Sequence, residues 1–159
     1  MGTKNYIAIL IESLRKKITV LDELIKRNEE QSKLLDAPVF DSEAFDRIMD
    51  EKAVFITDLR FLDTGFEAIY DRAKETLTKD RASHVSDIRD MQLLITAITQ
   101  KSTAIEASER RNDVKFKNRF RSEHQRVRQS KNTMQVASGY YKSMTGTAVQ
   151  DARYMDQKF

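Results

Sequence analysis

The residues able to do chemistry are few and scattered. His84 and His124 are the two histidines, far apart in sequence, one in an expected turn and one in a basic segment. Both read as solvated polar residues, because they sit 40 residues apart and no metal-spaced cluster of His, Asp and Glu stands out. There is no cysteine, which removes disulfides, thiolate metal sites and thiol nucleophiles together. No glycine-rich phosphate loop and no nucleophile motif occurs. Adjacent acids such as Asp50 and Glu51 fall on a charged helix face, where solvation accounts for them. The sequence assigns no catalytic residue, no cofactor and no metal, and enzyme is the class it favours least.

Binding chemistry is more promising. The stretch VKFKNRFRSEHQRVRQSK, Val114 to Lys131, holds seven Lys or Arg, two Phe and one acidic residue. Glu109 to Lys131 contains nine basic and three acidic residues, a local charge of +6 in a chain whose formal net charge is +3. The basic character therefore belongs to one segment and not to the whole surface. Lys115, Lys117, Arg119, Arg121, Arg126 and Arg128 would neutralise phosphates on a nucleic acid, with Phe116 and Phe120 stacking on bases. However, Phe116 and Phe120 lie four apart on one helical face that Val127 extends. That face is also a short apolar stripe rimmed by charge, suited to a partner helix. A third reading tucks both Phe into the protein's own bundle and leaves a solvated basic helix end. The partner-binding reading selects Val114, Phe116, Arg119, Phe120, Arg121 and Val127.

The elements that must position this segment are long helices. One Pro and four Gly leave few breakers, while 40% of residues are hydrophobic and 33% charged. Helix one is predicted over Asn5 to Leu35, with Ile7, Ile11, Leu14, Ile18, Leu21, Ile25, Asn28, Ser32 and Leu35 stepping by four and three. Leu10, Val20 and Leu24 widen its stripe, which suits contact with two neighbours. Pro38 ends that helix, and Asp41 can cap the next by accepting from its first free amides.

Helix two is predicted from Ser42 to Thr78 across Gly65, with Phe45, Ile48, Lys52, Phe55, Leu59, Leu62, Phe66, Ile69, Ala73 and Thr76 in phase. Lys52 is the polar residue of that seam, and an antiparallel hairpin would bring it to Asn28. Leu77 to Val85 is a gap in the apolar pattern that fits a turn best, although nothing there forbids a continuous helix; helix three follows Val85, Ile88, Met91, Ile95, Ile98, Ser102 and Ile105. Beyond Ile105 the stripe thins, and the helix is expected to continue without a core of its own. The fold class is all-α: an elongated antiparallel bundle of three long helices over residues 1–131, with a mobile tail over 132–159. Tyr140 and Tyr141 in that tail join the candidate docking residues, since disordered tails seldom carry aromatics.

No apolar run approaches the ~20 residues of a membrane helix, and the N-terminus lacks the order of features of a signal peptide. A cytoplasmic protein with no stable membrane insertion is the expectation. The wide stripe on helix one suits either a third helix of the same chain or a second copy in a homodimer.

The stretch LLDAPVFDSEAFDRIMDEKAVFITDLRFLDTGFE adds a family resemblance. Paired Leu closing helix one, a short loop with an acidic cap, and DEK ahead of a Leu-rich seam resemble the FlgN-type flagellar export chaperones, over roughly Tyr6 to Ile105. The resemblance implies a helical cytoplasmic chaperone without enzymatic activity or cofactor. Its partners would be the C-terminal helical segments of hook-associated, hook-filament junction proteins and the flagellar export gate, not nucleic acid. Substrate recognition would fall at the end of helix three and beyond. The alternatives are a basic helical nucleic-acid-binding protein and a structural coiled-coil adaptor.

Overall fold

A computed structural model of the chain describes residues 3–121 and 139–140. Three long helices account for nearly all of it: α1 (Thr3–Asp36), α2 (Ser42–Lys79) and α3 (Val85–Arg119). The expected tail, apart from Gly139 and Tyr140, lies outside the described residues.

The helix ends follow the local chemistry. Pro38 stands in the short link after α1, where its ring and missing N–H forbid helical continuation. The side chain of Asp41 accepts from the amide of Ala44 at 3.0 Å, with its own backbone extended, which starts α2. α2 runs through Gly65 without interruption and ends at Asp80. Asp80 accepts from the Ser83 hydroxyl at 2.8 Å and opens a 3₁₀ turn, Arg81–His84, that separates α2 from α3. His84 departs from expectation: it occupies the turn but is buried, with Asp80 and Asp87 at 4.0 and 3.7 Å from its ring nitrogens. The turn folds its side chain inward against the end of the bundle.

Cross-helix ion pairs set the registers. Lys17 reaches Asp63, and Arg27 Nε reaches Glu51 at 2.5 Å, so α1 and α2 are antiparallel. Lys101 reaches Asp22 at 2.6 Å and Lys115 reaches Asp36 at 2.7 Å, so α1 and α3 run parallel. α1 is the shared partner. It packs closely on both other helices, whereas among the described residues no Cα of α2 comes within 8 Å of one of α3. That central position explains the wide stripe of α1 and uses it within a single chain. It also shifts the seam: Leu10, Leu24 and Gln31 are fully buried, while Ile18, Ile25 and Ser32 are only partly so.

One apolar core fills the long part of the bundle, from Ile7, Leu10, Ala73 and Leu77 at one end to Leu24, Ile56 and Ile105 nearer the other. A smaller core of Leu35, Phe45, Phe116 and Phe120 closes the α1–α2 loop end.

Candidate functional site

At the loop end, a buried polar layer precedes the aromatic core. Lys52 from α2 donates to Gln31 Oε1 of α1 at 2.9 Å and forms an ion pair with Glu109 of α3. The two side chains are 3% and 1% exposed. Among the described residues no other donor reaches the Glu109 carboxylate. Burial lowers the Lys52 pKa below its ordinary value, and the neighbouring Glu109 opposes that shift without cancelling it.

The expected Asn28–Lys52 pair does not form. Lys52 reaches Gln31, one turn along α1, and Asn28 turns to α3, its side-chain amide donating to Ser108 Oγ at 2.7 Å while its backbone carbonyl accepts from the Asn112 side chain at 3.0 Å. The same layer overturns the expectation that α3 continues past Ile105 without a core. Glu109, Asn112 and Phe116 are buried in succession against α1 and α2. Polar seam residues mark a change of layer and not the end of packing.

The aromatic core takes two residues of the predicted partner stripe. Phe116 is 3% exposed and Phe120 7% exposed. Phe116 stacks on Phe45 with ring centroids 5.3 Å apart, and Phe120 meets Phe40 edge-on at 4.5 Å. Of the readings open for these Phe, the structure has the one that tucks them into the bundle, because Leu35, Phe40 and Phe45 supply the hydrophobic partners. Neither ring is available to stack on a base or to meet a partner helix while this end stays closed.

Arg119 is likewise turned inward. Its Nη1 donates to the carbonyls of Leu35 and Ala37 at 2.9 and 2.7 Å, and its guanidinium lies 5.4 Å from the centroid of Phe40. A cation there satisfies carbonyls that the last turn of α1 leaves without intrahelical partners, and complements the negative end of that helix. Lys115 donates to Ser32 Oγ at 2.8 Å and to Asp36.

The remaining candidates separate. Val114 and Arg121 are exposed. Val127 and Tyr141 lie outside the described residues. Tyr140 docks far from the aromatic core, half-buried against the middle of α2. Its hydroxyl donates to Asp63 Oδ2 at 2.8 Å and its ring lies 5.3 Å from the Arg60 guanidinium. Burial, and then the Asp63 charge, push the Tyr140 phenol well above its ordinary pKa. The eight predicted residues are therefore not one surface.

A surface that residue-by-residue reading missed is the outer face of α3. From Met91 to Ile105 the only charged residue is Lys101, and it turns to Asp22 of α1. Leu93, Thr96, Gln100 and Thr103 are exposed on the opposite side. The Thr96 and Thr103 hydroxyls donate to the carbonyls of Gln92 and Thr99 at 2.9 and 3.0 Å, leaving their methyls to solvent. Past this neutral stretch the same face becomes basic, with Arg110 and Arg111 exposed near Val114, and Arg121 is exposed just beyond the end of α3. The signal in the sequence was a long interval with a single charge, Lys101, whose outward positions carry no core residue.

Among the described residues no group of acids and histidines could hold a metal, and no helix is long and apolar enough to cross a membrane. The geometry defines a class: an all-helical bundle whose distinctive surfaces are helix faces. Comparison with protein-family models, curated proteins and solved structures finds no match to the chain.

Proposed function

We propose that the chain binds an amphipathic helix on the outer face of α3, as a flagellar export chaperone of the FlgN type. In this reading it holds the C-terminal helical segment of a hook-filament junction protein in the cytoplasm and hands it to the export gate. The observation that carries the reading is the α3 face itself, a neutral stretch around Leu93 that leads into a basic end around Val114. An export substrate whose helix pairs only after assembly has an apolar stripe to cover beforehand. A neutral face covers it without burying charge, and a basic end favours an acidic rim and speeds encounter.

The closed aromatic core behind that end contributes rigidity. Phe116, Phe120 and Arg119 fix the last turns of α3 to α1, so Val114 is presented on a braced helix, with Arg121 directly after its end. Binding to a preorganised face loses little conformational entropy, and release needs no covalent step. The resemblance in the LLDAPVFDSEAF stretch supports the assignment to flagellar export specifically.

The test is capture of a C-terminal helical fragment of a hook-filament junction protein, measured by calorimetry. Val114→Glu combined with Arg121→Glu is expected to weaken binding at least tenfold while the thermal midpoint stays within a few degrees. Absence of binding to every such fragment by the unaltered chain would sink the proposal.

A further inference from the structure

The face of α2 turned away from α1 carries a second seam. Val54, Thr57, Phe61, Gly65 and Ala68 step by three and four, the spacing that aligns residues on one side of a helix, and all are exposed. Phe61 is 78% exposed and Val54 60% exposed. A large aromatic so placed at the centre of an uncharged stripe is unusual on a surface that needs nothing from it. The Thr57 and Thr64 hydroxyls donate to the carbonyls of Ala53 and Arg60 at 3.1 and 3.0 Å. Their polar atoms are already satisfied, so covering them costs no hydrogen bond.

Gly65 is the second observation. A mid-helix glycine is unfavourable relative to alanine, yet a Cβ built there would meet nothing within 4 Å. Nothing among the described residues requires its absence. A neighbour approaching from outside would use the space.

The charges at the two ends of the stripe identify that neighbour. Arg47 and Asp50 precede it on the same face, and Arg72 and Glu75 follow it; all four are exposed. Arg47 and Glu75 are equally far from Phe61, and so are Asp50 and Arg72. A second α2 laid antiparallel about a two-fold axis at Phe61 therefore sets Arg47 opposite Glu75 and Asp50 opposite Arg72, at both ends at once. In the same alignment Val54 faces Ala68, Thr57 faces Gly65, and Phe61 meets its own copy with small residues on either side. A parallel pairing would instead place like charges together.

We infer that the outer face of α2 is a self-complementary interface through which two copies of this chain pair antiparallel. The 28 steps from Arg47 to Glu75 span ~42 Å at ~1.5 Å each. One helix width of ~10 Å along that length covers ~400 Å² per copy. A standard interface buries about 800 Å² per partner, so the dimer is weak and concentration-dependent. This face is distinct from the α3 face, and the inference stands whether or not the chain is an export chaperone.

Sedimentation equilibrium of the full chain from micromolar to ~1 mM, the weakest affinity worth resolving, tests it. A monomer–dimer equilibrium is expected, weakened at least tenfold by Phe61→Ala with helicity unchanged. Asp50→Arg alone and Arg72→Asp alone should each weaken it several-fold, and the two together should restore it. A strictly monomeric chain at ~1 mM, or a dimer indifferent to Phe61→Ala, overturns the pairing. If the chain is monomeric and Phe61→Ala abolishes capture of the junction-protein fragment, the face belongs to that partner helix and the self-pairing is wrong. Val114→Glu with Arg121→Glu should leave the dimer intact, which separates failure of one reading from failure of the other.

Discussion

Removing Glu109 is the most revealing perturbation of the bundle. Among the described residues its carboxylate is the one opposite charge paired with the Lys52 ammonium, and both side chains are almost wholly inaccessible. In Glu109→Leu the lysine keeps, among the described residues, only the neutral Gln31 oxygen as a partner. Breaking one side of a buried pair typically costs 3–5 kcal/mol, because it strands an uncompensated charge. For the 107 residues of the three helices, unfolding entropy near ~2 cal/mol/K per residue turns that loss into a fall of roughly 14–23 °C in thermal midpoint. Lys52→Met together with Glu109→Leu is expected to be neutral to ~4 kcal/mol stabilising, since apolar side chains of similar size avoid both desolvation costs. Urea unfolding followed by far-UV circular dichroism measures all the variants.

The pH dependence gives an independent arm. Burial lowers the folded pKa of Lys52 below 10.5, the ordinary lysine value. Between those two values the unfolded chain binds more protons than the folded one, so this residue's contribution to stability rises with pH across that window. The difference in stability between wild type and the doubly apolar variant should therefore shift in favour of wild type as pH climbs toward 10.5. Two results would refute the reasoning: a loss below ~1 kcal/mol for Glu109→Leu, or a double variant no more stable than the single one.

Two further outcomes follow from the same geometry. Phe116→Ala is expected to destabilise by about 3–5 kcal/mol through lost burial and the cavity left beside Phe45, against less than ~0.5 kcal/mol for exposed Val114→Ala, both read from urea midpoints. Tyr140 should resist ionisation in the folded chain: absorbance near ~295 nm should show one tyrosine lagging as pH rises through the ordinary phenol range. Because its folded pKa is raised, its stabilising contribution is complete at neutral pH and declines above that range, and Tyr140→Phe should remove this decline.

Much of the fold was legible because its causes are local. The steps of three and four from Ile7 to Leu35 and from Phe45 to Ala73 require helices, and Pro38 with Asp41 fixes the link between them. The turn before Val85 was legible from a gap in apolar residues. The α3 face now proposed for binding was legible in part, as an interval whose only charge is Lys101, but the α2 face is interleaved in sequence with Asp58, Arg60, Asp63 and Glu67, and only the bundle shows which positions point outward.

The aromatic end was not legible, for a physical reason. Phe116 and Phe120 continue a helical stripe, and a stripe cannot announce its partner. Their partners, Leu35, Phe40 and Phe45, sit some 75 residues earlier, around a loop whose position relative to α3 depends on the register of all three helices. Glu109 and Asn112 sharpened the illusion, because polar residues at seam positions resemble the point where a helix leaves its core. Read together they carry a different message. Asn28 and Gln31 on α1, Lys52 on α2, and Glu109 and Asn112 on α3 are all buried at one level of the bundle. Three seams that turn polar at a single height define a layer, and a layer fixes register, since a slip of one turn would strand each of these groups against hydrocarbon. The basic segment is divided by the same logic. Lys115 and Arg119 are committed to the end of α1, while Arg110 and Arg111 remain exposed on the outer side of α3 and Arg121 is exposed beyond its end. A charge count over the segment overstates what a partner can meet, and the helix face on which each charge falls decides which of them recognition can use.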